Sequence, residues 1–296
     1  MRASTPARSG IWLAAVVALA CSGRPPPAPG QDTGVEPARD AGPGFDAGSP
    51  RLPGRPDGGP RLPSVDREIV LPYLGDAVQE ELAVEGEVGT LDVFFSIDTT
   101  GSFGGEIDNL QADLRSRILP GLRDRVADVA FGVGRFEDFP ASPFGAPDDR
   151  PFRLLSGVTS DETRVSNAVA SLDQPLGNGG DVPESGAEAL WQIATGEGYG
   201  SVIEPYDGVA LRGGGDLGGV GFRADALRVV VHVTDAPTHG PASYGARFED
   251  THDVSEAIDA MNERGVYGLG IASGEAARPY LERVALGTGA AVEPDG

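Results

Sequence analysis

Short, strongly apolar segments recur along the chain from residue 91 onward, and they are typical of strands buried on both faces of a sheet. These segments are LDVFFSI (91–97), VAFGVGRF (129–136), FRLLSGV (152–158), ALRVVVHVT (226–234) and VYGLGIAS (266–273). Most of the segments between them carry apolar residues at helical spacing, so we expect helices there. Strands that alternate with helices predict an α/β domain with a doubly wound, mostly parallel, Rossmann-like sheet flanked by helices.

The expected helix boundaries follow from capping and helix-breaking residues. Apolar residues from Ile107 to Ile118 predict a first helix that stops at Pro120-Gly121. The other predicted helices are 160–172, capped by Ser160 or Asp161, 183–193, with Pro183 near its first turn, 254–265, closed by Gly265, and 275–285, which begins or kinks at Pro279. The glycine-rich stretch 212–222 lacks the ending of a phosphate-binding loop and is predicted to be a flexible surface loop.

The N-terminal residues have the pattern of an export signal. Arg2 and Arg8 precede an apolar run at 11–20 that is too short to cross a bilayer. We therefore expect residues 1–20 to be a signal peptide and the protein to be exported.

The residues at the expected cleavage site allow two outcomes. ALAC (18–21) resembles a bacterial lipobox, in which Cys21 would carry the lipid, but it also fits ordinary cleavage after Ala20. Cys21 is the only cysteine, so an intramolecular disulfide has no partner for it. We expect a lipoprotein anchored through Cys21 in the bacterial cell envelope, at the outer membrane, with a secreted protein as the alternative.

The composition changes along the chain and divides it into regions. Residues 21–65 contain the anchor cysteine and a proline- and glycine-rich stretch, which predicts a disordered linker. Residues 66–90 form a leading segment, in which EIVLPYLG and QEELAVEG are candidate strands. The α/β domain is expected to occupy residues 91–296.

The net charge of the chain limits the classes of molecule that it is expected to bind. The 296 residues are 40% hydrophobic, which is enough for a core, and carry a formal net charge of −22. An acidic surface repels phosphate, so we expect no nucleic-acid binding.

Two of the predicted strands end in aspartate, at Asp98 and Asp235. Ligands of doubly wound sheets bind beyond the carboxyl ends of the strands, where the strand order reverses. Thr100 and Ser102 follow Asp98, so a single loop can turn three oxygens toward one point. Carboxylates and hydroxyls suit Mg²⁺ better than zinc. Taken alone, however, DTTGS (98–102) is also typical of a capped turn.

Several spaced segments resemble von Willebrand factor type A domains, and in particular the inserted-type (I-like) domain of integrin beta subunits. DTTGS (98–102) resembles the metal-ion-dependent adhesion motif Asp-x-Ser-x-Ser, DVPESGAEALWQ (181–192) resembles the family's Asp-x-Pro-Glu-Gly-Gly segment, and TDAPTH (234–239) resembles Thr-Asp-Ala-Lys-Thr-His. The resemblance implies an adhesion site that holds Mg²⁺ or Mn²⁺. Its implied ligands are Asp98, Thr100, Ser102, Glu184 and Asp235.

The same resemblance implies a second, calcium-binding site next to the first. DFPASP (138–143) resembles a family segment with a calcium ligand, and the implied ligands are Asp138, Asp181, the Pro183 carbonyl and Glu184. Asn178 lies one place from the family's asparagine, and solvated loop acids are the alternative for Asp138 and Asp181.

Other features of the resemblance are missing from the sequence. Gly105 and Glu106 replace the two aspartates of a further regulatory calcium site. The resemblance implies a final amphipathic helix that moves when ligand binds, and the chain reaches Gly296 without one, so either the sequence is a fragment or this allosteric output is absent. His232, His239 and His252 are too scattered to predict a zinc site, and His232 is expected to be a structural histidine.

The predicted function is non-catalytic, adhesion-type protein binding at the cell envelope. The resemblance implies that the cation binds an Asp or Glu carboxylate of a partner protein. The alternative is a Mg²⁺-dependent envelope hydrolase, since such an ion can activate water. An aspartic protease does not fit, because an extra threonine interrupts its Asp-Thr-Gly-Ser motif and the predicted fold is not β-rich.

Overall fold

The computed structural model describes residues 88–206 and 214–291, together with the strand pairing of two short segments near the N-terminus. These segments, Trp12–Leu13 and Leu82–Ala83, pair as antiparallel strands. Apart from them, the predicted signal peptide, Cys21, the linker and the candidate strands of the leading segment lie outside the described residues. Within the described part of the chain, no helix combines the length and the apolar character needed to cross a membrane.

Five strands form the sheet of the domain, and its fold class is the predicted one. The strands are β1 (Thr90–Asp98), β2 (Asp128–Phe136), β3 (Arg153–Thr159), β4 (Leu227–Thr234) and β5 (Val266–Ala272). Their spatial order is β3-β2-β1-β4-β5, and only β3 runs antiparallel to its neighbour. Strand order reverses between β1 and β4, which pair directly, with Ile97 opposite Val233.

Helices connect the strands and cover both faces of the sheet. They are α1 (Gly104–Asp113), α2 (Leu119–Arg123), α3 (Glu162–Ala170), α4 (Gly186–Thr195), α5 (Pro241–Tyr244), α6 (Val254–Glu263) and α7 (Arg278–Gly287). Asp161, rather than Ser160, caps α3 by accepting the N–H groups of Thr163 and Arg164. Pro279 lies in the first turn of α7, which confirms the expected start of that helix.

The first helix does not stop at Pro120-Gly121, so that prediction was wrong. A π-helical turn, Leu114–Ile118, joins α1 to α2, and Pro120 lies in the first turn of α2. Proline has no N–H to donate to the carbonyl four residues earlier. The wider π turn just before it changes the hydrogen-bond register, and the N–H of Leu119 reaches Leu114 instead.

The core lies in two layers, one on each face of the sheet. Phe94 packs with residues of α4, α6 and α7 on one face, and Phe95 packs with residues of α1 and α3 on the other. Adjacent residues reach opposite layers because side chains alternate along a strand. Gly132 makes room for Phe94, since a Cβ there would lie 2.5 Å from the ring.

The last residues of the glycine-rich segment are buried and do not form a surface loop. Val220 and Phe222 are fully buried, and the Val220 carbonyl accepts a hydrogen bond from the N–H of Val158 on β3. The prediction was therefore wrong for residues 219–222, because the apolar side chains among them fill one core layer, whereas Gly214 and Asp216 are exposed. Residues 207–213 lie outside the described part.

An ion-pair cluster closes the amino-terminal end of the central strands. Asp92 of β1 is fully buried and accepts hydrogen bonds from the backbone N–H (2.6 Å) and Nε (2.7 Å) of Arg223. The same guanidinium donates to Asp128 Oδ1 at 2.7 Å. The cation that compensates this buried carboxylate is therefore a side chain of the chain itself.

Candidate metal centre

The loop after β1 is folded back by its own aspartate. Asp98 is the last residue of β1, and its Oδ1 accepts hydrogen bonds from the backbone N–H (2.9 Å) and hydroxyl (2.8 Å) of Thr100. A short 3₁₀ turn follows, Gly101–Phe103, and the fully buried Phe103 anchors it to the core. These contacts turn the oxygens of the loop toward the crevice at the carboxyl end of β1.

A continuous chain of oxygens links the loops after β1 and β4. Thr100 Oγ1 lies 3.1 Å from Ser102 Oγ, and Ser102 Oγ donates to Asp235 Oδ1 at 3.3 Å. The hydroxyl of Thr234, the last residue of β4, donates to Asp98 Oδ2 at 2.6 Å. The structure thus brings four of the five predicted adhesion-site residues into one hydrogen-bonded group, at the point where the strand order reverses.

Glu184, the fifth predicted residue, is placed by a short bridge between two loops. Its N–H donates to the Pro237 carbonyl at 2.9 Å, and its carbonyl accepts the N–H of His239 at 2.8 Å, which makes a parallel bridge with Thr238. This pairing explains why α4 begins at Gly186, after the predicted start at Pro183.

The Glu184 carboxylate is a buried group without a neutralising partner. The residue is 3% exposed, and its Oε2 has no hydrogen-bond partner in the described structure. Burial raises the pKa of Glu184 to about 10, and the negative charges of Asp98 and Asp138 add to the effect. Gly179 leaves room for it, because a Cβ there would lie 2.6 Å from Glu184 Oε1.

The negative charge of Asp98 is likewise destabilised by burial. Burial raises the pKa of Asp98 to about 6, hydrogen bonds from Thr234 and Thr100 oppose the shift, and the charge of Asp235 adds to it. Among the described residues, no arginine or histidine forms an ion pair with Asp98 or Glu184.

By ligand type these residues suit a hard divalent cation, although among the described residues the carboxylate oxygens of Asp98, Glu184 and Asp235 do not all lie within 4.8 Å of one another. The five side chains offer carboxylate and hydroxyl oxygens, which Mg²⁺ and Mn²⁺ prefer. A cation here would compensate the buried charge of Asp98 and give the unpartnered Oε2 of Glu184 a ligand role. Thr100 and Ser102 would supply neutral oxygens, and the exposed position of Ser102 opens the crevice to solvent.

A second group of candidate ligands lies beside the first. Ligand atoms of Asp138, Asp181 and His239 all lie within 4.8 Å of one another. Asp138 is fully buried, so its alternative interpretation as a solvated loop acid is wrong, whereas Asp181 is exposed. Burial raises the pKa of Asp138 to about 7 against the hydrogen bonds from Tyr244 and Phe139.

Sequence reasoning missed His239 as a member of this group. Its Nε2 lies 3.2 Å from Asp181 Oδ1 and 3.5 Å from Asp138 Oδ2. The available signal was its position four residues after Asp235, in a loop that begins at the end of a central strand. Pro183 and Glu184 lie in the neighbouring loop segment, and their predicted role as calcium ligands stays a prediction.

Asp149 is a second residue that sequence reasoning missed. Its carboxylate accepts the backbone N–H groups of Asn178 and Gly179 at 3.1 Å each and that of Ala146 at 2.7 Å. It therefore shapes the loop that leads to Asp181 and Glu184. No sequence pattern connects Asp149 with this loop.

His232 is structural, as expected. Its ring is fully buried between Ser96 Oγ (2.9 Å) and the Tyr280 hydroxyl (3.0 Å) and stacks on Phe136. Burial lowers the pKa of His232 to about 3, so the ring is neutral.

Comparisons with known proteins add a structural likeness. No protein-family model and no curated protein matches the chain. Similar solved structures include proximal thread matrix protein 1 from the mussel byssus, with a TM-score of 0.42 and 16% sequence identity. Another structure of that protein, described with a zinc-occupied MIDAS motif, has a TM-score of 0.42 and 14% identity. Each alignment covers 67% of this chain and 42% of the mussel chain, less than half its length.

The fold itself follows from the arrangement of strands and loops. The order β3-β2-β1-β4-β5 has one antiparallel strand, and the predicted motif residues Asp98 and Asp235 meet where the order reverses. By this topology and by the position of these motifs, the chain has the fold of a von Willebrand factor type A domain.

Proposed function

We propose that this domain is a non-catalytic protein-binding module that works through a bound divalent cation, Mg²⁺ or Mn²⁺. The observation that carries the proposal is the oxygen chain from Asp98 through Thr100 and Ser102 to Asp235, together with the buried, unpartnered carboxylate of Glu184, whose pKa the charge of Asp98 helps to raise. Such a set of oxygens needs a cation to offset its charge, and the described residues near it supply none.

The recognised group on the partner is an Asp or Glu carboxylate. A hard cation takes about six oxygen ligands, and the five side chains leave at least one position for an incoming group. Ser102 and Gly105 are exposed, and a Cβ at Gly105 would contact nothing within 4 Å, so the approach on that side is open. A charged oxygen binds a hard cation more strongly than a neutral one.

A pairing that resembles a nucleophile and its base, Ser96 with His232, does not support a catalytic role. Ser96 Oγ and His232 Nδ1 are 2.9 Å apart, as in a hydrolase, but both residues are fully buried in the sheet. Neither side chain is exposed to a substrate in the folded domain.

The proposed location is the bacterial cell envelope, with the domain held at the outer membrane by a lipid on Cys21. The support is the sequence alone: the export pattern and the solitary cysteine. Mass spectrometry of the mature N-terminus tests this part, since an unmodified Cys21 would contradict the anchor and leave a secreted protein.

The function is tested by capture from envelope extract in Mg²⁺ and in EDTA. We expect the wild-type chain to retain a partner only in Mg²⁺, and the variants Asp98→Ala and Ser102→Ala to lose it. Ser116→Ala, on the exposed surface next to α1, is the matched control and should bind normally. Changing a single partner carboxylate to its amide should abolish capture, whereas equal capture in EDTA would show that another surface binds the partner.

A further inference from the structure

The spacing within the second group of ligands is compatible with a metal polyhedron, and only one of its contacts, from His239 to Asp181, is also a hydrogen bond. His239 Nε2 lies 3.2 Å from Asp181 Oδ1 and 3.5 Å from Asp138 Oδ2. A tetrahedral ion with bonds of about 2.0–2.1 Å separates its ligands by about 3.3 Å. The third pair of ligand atoms, from Asp138 and Asp181, lies within 4.8 Å.

Hydrogen bonding leaves one of these atoms without a partner. Oδ1 of Asp138 accepts from the Tyr244 hydroxyl and the Phe139 N–H, both at 2.6 Å, so the carboxylate is fixed. Its Oδ2 is buried and has no hydrogen-bond partner in the described structure, although it points toward His239. The imidazole Nε2 carries one proton at most and cannot serve two carboxylates well.

The His239 ring is held in place by aromatic packing and by its backbone. The His239 ring lies edge-on to Phe144, at 5.3 Å between centroids, and packs at 4.9 Å from the Tyr244 ring. Its backbone N–H is bonded to the Glu184 carbonyl. A ring held this way keeps Nε2 aimed at the two carboxylates.

We propose that Asp138, Asp181 and His239 form a separate site for a divalent transition-metal ion of the zinc type. Imidazole nitrogen favours such ions over Ca²⁺ and Mg²⁺. Three protein ligands with a further position for water or another ligand are a common zinc arrangement. The site differs from the oxygen-only calcium site that the sequence predicted, and it does not depend on the proposed cation at Asp98.

The test uses Co²⁺ as a spectroscopic substitute for zinc on the purified, chelator-stripped chain. The Asp98→Ala background removes the first site from the measurement. We expect one Co²⁺ per chain, with visible absorption bands typical of nitrogen and oxygen ligands, and displacement by Zn²⁺. His239→Gln and Asp181→Asn should each weaken Co²⁺ binding by about 100-fold, because losing a direct ligand costs at least as much as losing an outer-shell partner.

Two control variants distinguish the loss of this site from a general loss of metal binding. His252→Gln removes a different imidazole, one that is paired with the single carboxylate of Glu188, and should leave Co²⁺ binding unchanged. Asp108→Asn removes an exposed carboxylate and should likewise leave Co²⁺ binding unchanged. Far-UV circular dichroism checks the fold of each variant, and the exposed Asp181 gives a second variant should His239→Gln unfold.

Several results would overturn the proposal. One is that the Asp98→Ala chain binds neither Co²⁺ nor Zn²⁺, and another is that binding is unaffected by His239→Gln and Asp181→Asn. Binding of Ca²⁺ alone, insensitive to His239→Gln, would restore the oxygen-only site instead. Failure of the partner-binding proposal has a different signature, because it concerns Mg²⁺-dependent capture and the residue Asp98.

Discussion

Strand β1 carries a fully buried aspartate near each end, and the two carboxylates have different kinds of partner. Asp92, at the amino-terminal end, receives two hydrogen bonds from Arg223 and forms an ion pair with its guanidinium. Asp98, at the carboxyl-terminal end, receives only neutral donors, from Thr100 and Thr234. Both sites lie on the same central strand and are equally closed to solvent.

The presence of a cationic partner at Asp92, in contrast to the neutral donors at Asp98, distinguishes a structural buried carboxylate from one that can bind a ligand. Burial raises the pKa of both aspartates, but at Asp92 the hydrogen bonds and charge of Arg223 oppose the shift. At Asp98 only hydrogen bonds from neutral groups, those of Thr234 and Thr100, oppose the shift, and the charge of Asp235 adds to it as that of Asp128 does at Asp92. Removing the partner of a buried charge is costly, so the carboxyl-terminal end of β1 gains most from a cation supplied from outside.

The largest expected effect is the loss of the internal cation at Asp92. Arg223→Ala should lower the free energy of unfolding by about 3 kcal/mol, because a buried charge is left unpaired. Urea unfolding measures this, and added Mg²⁺ should not restore it. The control is Arg117→Ala, which breaks an exposed pair with Asp113 and should cost less than about 1 kcal/mol. Equal losses in both variants would show that Arg223 does not hold this end of the sheet.

The external cation should have an effect of similar size at the other end of β1. Mg²⁺ at about 100 times its Kd should raise the free energy of unfolding by about 2.7 kcal/mol. Asp98→Ala should abolish this response, and the surface variant Asp108→Asn should keep it. Thermal and urea unfolding with and without Mg²⁺ provide the measurement, and a full response in Asp98→Ala would place the cation elsewhere.

The metal-free protein should lose stability as the pH rises. The pKa values of Asp98, Asp138 and Glu184 are raised in the fold to about 6, about 7 and about 10, so the folded state keeps protons that the unfolded chain releases. Their contribution is therefore present at low pH and is lost above the unfolded values near 4. Between pH 5 and pH 8 in EDTA we expect a loss of at least about 1.4 kcal/mol. Glu184→Gln should flatten the profile, whereas stability that rises over this range would contradict the assignment.

The smallest expected effect tests the comparison most directly, because the same aspartate-to-asparagine change should alter stability in opposite directions at Asp98 and at Asp92. At pH 8 in EDTA, Asp98→Asn should stabilise the protein by about 1 kcal/mol, since it removes an uncompensated buried charge. Asp92→Asn should destabilise it, because Arg223 loses its charged partner. Urea unfolding of the two variants decides the matter, and two changes of the same sign would remove the proposed distinction.

The sequence predicted those parts of the fold that depend on local patterns. The five strands are continuous apolar runs, and Asp98 and Asp235 could be brought together because both follow such runs in a parallel sheet. The π turn before Pro120 could not be foreseen, because proline usually ends a helix and only the packing of the following turn continues it. The burial of Val220 and Phe222 was missed because the surrounding glycines leave no recognisable hydrophobic periodicity. His239 was missed because its two carboxylate partners come from distant loops.

The bridge between Glu184 and Thr238 also has a mechanical consequence. It joins the loop before α4 to the loop after β4 by main-chain hydrogen bonds, and Ser102 and Asp235 join that loop to the one after β1. A pull applied at the crevice is therefore shared among three loops and passes into β1 and β4, which lie side by side within the sheet. Because hydrogen bonds between parallel strands are evenly spaced along their length, a load carried by β1 and β4 is distributed over many of them. Tension on this crevice is thus borne by the middle of the domain and not by a peripheral loop.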